Sequence, residues 1–116
     1  MELAMAIEID GRTIETTESG YLTNHDEWTK DVAIQLAQTE DIELQDKHWD
    51  VIHYLREEYF NNNENQPNNR LMLKAMSDKW GSKVTSKDLY NLFPGNPSKQ
   101  AGLIGGLPES RRKGGY

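Results

Sequence analysis

Residues 89–108 read Leu89-Tyr-Asn-Leu-Phe-Pro-Gly-Asn-Pro-Ser-Lys-Gln-Ala-Gly-Leu-Ile-Gly-Gly-Leu-Pro108. A serine just upstream, Ser86, suits a helix N-cap, and Leu89, Tyr90, Leu92 and Phe93 then supply apolar side chains until Pro94-Gly95 ends the helix. Asn96 followed by Pro97 opens another short helix, because asparagine caps and proline is tolerated at the first helical position. That helix is expected to reach about Leu103. Beyond it, glycine alternates with Leu103, Ile104 and Leu107, a composition that lets an extended arm bend closely and place apolar side chains in a groove. The reading gives a domain over residues 1–102 and a flexible C-terminal arm over 103–116.

Upstream of this stretch the same approach predicts the remaining elements. Met5-Ala-Ile-Glu-Ile9, the turn dipeptide Asp10-Gly11 and Arg12-Thr-Ile-Glu-Thr16 form a β-hairpin. Asn24, with Glu27 three residues on, is expected to cap a helix carrying Trp28, Val32 and Leu36. A second helix from about Gln45 to Asn61 puts Trp49, Ile52 and Leu55 on one face. The run 61–66 is a loop, and Pro67 is expected to start a third helix that buries Leu71 or Leu73 with Met72, Ala75 and Met76 before Gly81 ends it. The fold class is α+β and mainly α: an N-terminal β-hairpin, a bundle of about five short helices and a flexible C-terminal arm.

These pieces occur in an order that resembles the DsrC/TusE family, small proteins that carry sulfur on cysteines of a C-terminal arm. Besides residues 89–108, the resemblance rests on Gly20-Tyr-Leu22, Trp28, His48-Trp49-Asp-Val-Ile52, Leu55-Arg56-Glu-Glu-Tyr59, and Pro67 with Arg70 and Lys74. It spans nearly the whole chain. What it implies about function meets one departure, since the sequence contains no cysteine. Gly102 stands where the upstream carrier cysteine of the sulfite-reductase-linked members would be, and Gly115 where the penultimate one would be. A persulfide carrier attacks as a thiolate, a species neither glycine nor methionine supplies. The resemblance therefore implies a non-enzymatic protein of sulfur metabolism that docks on sulfite-reductase-like or sulfur-relay partners, or regulates them, without accepting sulfur.

Composition constrains the alternatives. With 35% hydrophobic and 28% charged residues, the 116-residue chain suits one modest core. No apolar run is long enough for a membrane span and no secretory leader is recognisable, so a cytoplasmic protein without membrane contact is expected. His25, His48 and His53 without cysteine offer little for a metal, and neither a metal nor a cofactor is expected. No nucleophile elbow, phosphate-cradling loop or spaced acid–base set supports catalysis.

The net charge of −6 conceals two opposed halves. Residues 1–66 carry 16 acidic and 4 basic side chains, a net of −12, whereas residues 67–116 carry 3 acidic and 9 basic, a net of +6. Such asymmetry marks a surface for a charged partner, or it lets the two halves attract each other or simply solvates both faces. The candidate contact residues are Arg70, Lys74, Lys83, Lys87 and Lys99, with Leu103, Ile104 and Leu107 on the arm and Arg111 and Arg112 near its end. An alternative from a different class is a DNA-binding regulator in which the short helices around residues 81–85 act as a basic, helix-turn-helix-like unit.

Overall fold

The computed structural model describes residues 5–9, 11–17 and 19–109. Strands β1 (Met5–Ile9) and β2 (Arg12–Thr16) pair antiparallel, with Ile7 opposite Ile14 and Ile9 opposite Arg12. Gly11 adopts φ +78°, a left-handed turn conformation glycine takes without a Cβ penalty. Alternation along β2 turns Ile14 and Thr16 into the core and leaves Thr13 and Glu15 exposed.

Five α-helices follow: α1 (Lys30–Thr39), α2 (Asp46–Asn61), α3 (Asn69–Trp80), α4 (Ser86–Leu92) and α5 (Pro97–Ile104). The expected hairpin and mainly helical bundle are present, but three helix starts differ from the sequence reading. Asn24 caps only a single 3-10 turn, His25–Glu27, after which Trp28 is extended and Thr29 caps α1 by accepting from the Val32 amide. The break frees the Trp28 indole to reach the end of α5. Asn68, rather than Pro67, marks the start of α3, its side chain accepting from the Leu71 amide. Thr85, rather than Ser86, caps α4 and exchanges hydrogen bonds with Asp88 as a capping box. In each case a side-chain acceptor for orphan helix amides decides the boundary.

Helix α5 lies at the centre and packs on α1, α2, α3 and α4. Around it are fully buried Ile14, Leu36, Ile52, Met72, Met76 and Phe93. Leu71 stays 47% exposed and Leu73 and Ala75 only partly buried, so the buried face of α3 is narrower than its apolar content suggests. Trp49 sits half-buried at the edge of α2, while Val51 joins Ile52 and Leu55 inside.

His48 ties α2 to the end of α4. Its Nδ1 accepts from the Gln45 amide at 3.0 Å, so Nε2 carries the proton and donates to the Leu92 carbonyl at 2.9 Å. Burial holds its pKa below the ordinary 6.5, an effect partly offset by the bond to Leu92. Protonation would place a second N–H against the Gln45 amide. The folded pKa lies below the unfolded one, so the unfolded chain takes up this proton first. Stability owed to neutral His48 is complete above pH 6.5 and falls as acidification proceeds towards the folded value. We expect the urea midpoint of the wild-type protein to drop between about pH 7.5 and about pH 5, and the slope to flatten in His48→Gln. An equal slope in both would remove His48 from this role.

Candidate functional site

The residues after α5 do not leave the domain at once. Gly105 ends the helix, its amide bonding back to Ala101, and Gly106 turns the chain with φ +74°. Four side chains from distant parts of the sequence then hold the main-chain carbonyls of this turn. Trp28 Nε1–H donates to Ile104 O at 2.8 Å, and Arg56 donates to Gly105 O. His25 Nδ1 lies 2.9 Å from Gly106 O, and Gln66 Nε2–H donates to Pro108 O at 2.9 Å. A carbonyl only accepts, so His25 Nδ1–H is the donor in this contact.

The donors are themselves braced. The Arg56 guanidinium lies 3.8 Å above the Trp28 ring and 4.9 Å from the Phe60 ring, and His25 meets Tyr59 and Phe60 edge-on. A cation at the end of α5 also complements the helix dipole. Burial moves the Arg56 pKa below its usual value, although a guanidinium stays charged at any physiological pH. Each bond contributes about 1 kcal/mol net and each cation–π contact about 0.5 to 2, so the clasp is worth a few kcal/mol. Its glycine is obligatory in shape: a Cβ on Gly106 would lie 2.5 Å from Trp28 Cδ1.

The sequence-derived candidates fall into separate groups. Leu103, Ile104 and Leu107 are buried within the chain's own core, and the boundary placed after Gly102 falls inside α5. The groove that residues 103–107 fill is therefore the chain's own. Gly102 is itself buried, yet beyond its chain neighbours and the backbone of its own helix a Cβ built on it meets no atom within 4 Å. Arg70 and Lys74 share the exposed side of α3, while Lys83 precedes α4, Lys87 lies on it and Lys99 on α5, all exposed. Asn69 accepts from the Ser98 amide and so joins the starts of α3 and α5 near Arg70 and Lys99. Gly115, Arg111 and Arg112 lie outside the described residues.

Sequence reasoning did not assign His25, Arg56 or Gln66 a role at the arm root. Trp28 and Arg56 were visible only as parts of the family pattern, and no local spacing links either to a carbonyl near residue 105. Among the described residues no group of three His, Cys, Asp or Glu side chains is placed to hold a metal ion. None of their helices is long and apolar enough to cross a membrane.

A family described as DsrC like protein matches residues 8–112. The chain belongs to the DsrC-like family. It is 42% identical over 104 residues to a sulfurtransferase TusE homolog of Haemophilus influenzae, covering 89% of this chain and 94% of the relative. To sulfurtransferase TusE of Escherichia coli K12 it is 41% identical over 101 residues, covering 86% and 92%. Among solved structures, DsrC of Allochromatium vinosum superposes with a TM-score of 0.86 at 40% identity, covering 95% of this chain and 98% of that one. The oxidized gamma-subunit of dissimilatory sulfite reductase from Archaeoglobus fulgidus gives 0.84 at 29% identity, with 93% and 98% covered. The DsrC-like match contains α3, α4 and the residues between them, so the basic helix pair is part of the matched domain, and none of these relatives points to DNA.

Proposed function

We propose that this member of the DsrC-like family acts in sulfur metabolism by non-covalent docking on, or regulation of, sulfur-relay or sulfite-reductase-like partners, and not by carrying persulfide. The observation that carries the reading is the absence of cysteine from all 116 residues, in a chain that keeps the family's fold. Thiol exchange needs a thiolate nucleophile, and no side chain here replaces one. The clasp supports the docking part, because it presents the start of the terminal segment from a fixed position without any covalent chemistry. The names of the relatives, sulfurtransferase TusE and the gamma-subunit of dissimilatory sulfite reductase, supply the class of partner.

The test pairs binding with mass. The protein is mixed with a persulfide-loaded sulfur-relay protein, association is followed by calorimetry, and the intact mass is recorded afterwards. Association without gain of a sulfur atom is expected. A stable sulfur adduct on the wild-type chain, or no association with sulfur-relay or sulfite-reductase proteins, would overturn the proposal. Any truncation used to remove the terminal segment must stop after Pro108, since an end at Gly102 deletes the buried Leu103, Ile104 and Leu107.

Gly102 provides an internal control. It lies in α5 with room for a side chain, so Gly102→Ala is expected to raise stability by about 0.5 to 1 kcal/mol through reduced entropy of the unfolded chain. Gly102→Cys should fold equally well, and its thiol should react slowly with a thiol reagent in buffer and quickly in urea. Rapid reaction of the folded variant would show that the position is more open than this structure has it.

A further inference from the structure

The outer side of α1 and the connection to α2 form a groove of about 560 Å³. Its apolar walls are Ile34, Ile42, Leu44 and Trp49, and its rim carries Asp41 and Glu43. A second concavity of about 320 Å³ on the other side of Ile34 adds Glu8 and Asp31. Among the described residues, neither lining contains a lysine or arginine. Ile34, shared by both, is 41% exposed, and Trp49 stacks on His53 with ring centroids 5.9 Å apart. An apolar anchor ringed by four carboxylates suits a ligand of the inverse pattern, an apolar side chain flanked by cations.

That inverse pattern stands on another face of the same chain. On α3, Leu71 is 47% exposed, one of the two most exposed large apolar residues described, and Arg70 and Lys74 are exposed beside it. At 100° per residue the three fall within about a quarter to a third of the helix circumference, with Lys74 between the other two. The groove belongs to the acidic half of the sequence and this patch to the basic half. The groove lies on α1 and the connection to α2 and the patch on α3 of one folded core, so a patch of this kind that fills the groove would come from a second molecule.

We propose that a second copy of this chain occupies the groove, with Leu71 of one protomer seated against Ile34 and Trp49 of the next and with Arg70 and Lys74 facing the acidic rim. The contact is heterologous: patch to groove, leaving one free groove and one free patch on every dimer. It is small and built on surface charge, so it is weak and sensitive to salt. It is independent of the proposed partner docking. If it fails, that reading is untouched, and if the docking fails, this contact still stands or falls by its own test.

Sedimentation velocity of the full chain, from about 10 µM to about 0.5 mM, provides the test at about 20 mM and about 500 mM salt. Association is expected at low salt and its loss at high salt. Ile34→Asp and Leu71→Asp alter exposed positions, so both variants should keep the wild-type circular dichroism spectrum while each alone remains monomeric. The deciding arm is their mixture: Ile34→Asp retains the patch and Leu71→Asp retains the groove, so together they should form dimers and nothing larger. A wild-type protein that stays monomeric at low salt overturns the proposal. So does association that survives Ile34→Asp, or a mixture that fails to restore dimers. If the wild type is monomeric but a lysine-flanked leucine peptide perturbs Trp49 fluorescence, the occupant is a different basic partner and the second-copy assignment is wrong.

Discussion

Gly106→Ala is expected to destabilise the protein by about 3 kcal/mol, measured by urea unfolding. Two costs add. The residue sits at φ +74°, where an L side chain is strained by about 1 kcal/mol. The new methyl group would lie 2.5 Å from Trp28 Cδ1 and 2.9 Å from Cγ, and overpacking of this kind costs about 1 to 3 kcal/mol. The indole can yield only by giving up its bond to Ile104 O and its stacking against Arg56. Amide exchange should therefore accelerate at Gly106 and Leu107 before it does in α3. A change under about 0.5 kcal/mol would mean that the turn at Gly106 is not held against Trp28 as described.

Phe93→Ala should cost more, about 4 kcal/mol, because truncating a buried phenylalanine removes its transfer free energy and leaves a cavity. Phe93 is fully buried, and its ring meets the His48 imidazole edge-on at 5.1 Å. The Leu-Phe-Pro-Gly run is one piece of the family resemblance, and burial makes its Phe93 a packing residue rather than a contact for a partner. Melting temperature and urea midpoint of Phe93→Ala check this. A loss below about 1.5 kcal/mol would place the ring outside the core.

The hairpin, the helix count, the loop at 61–66 and the start of α5 are all legible in the sequence because each has a local cause. Turn glycine, asparagine caps and the first-turn proline act within four residues of themselves. Apparent helix starts at Asn24, Pro67 and Ser86 shift to Thr29, Asn68 and Thr85 because neighbouring residues can each cap, and tertiary demands choose among them. The demand at Asn24 is visible only in three dimensions, since Trp28 must reach a carbonyl 76 positions away. The clasp is illegible for the same reason. His25, Arg56 and Gln66 contact main-chain atoms, which look alike in every sequence, so no pattern of side chains announces them. Leu103, Ile104 and Leu107 were legible as apolar side chains seeking a groove, but composition alone does not say whose groove.

The four donors at the arm root grip carbonyl oxygens and read no side chain from residues 104–108. The socket is therefore indifferent to the chemistry of whatever is joined after Pro108, provided that the glycine turn and its buried leucines are kept. Terminal segments with or without a nucleophile are expected to fit the same mount. A chimera carrying another relative's last residues after Pro108 should fold like the parent, and the identity of the job would travel with the graft.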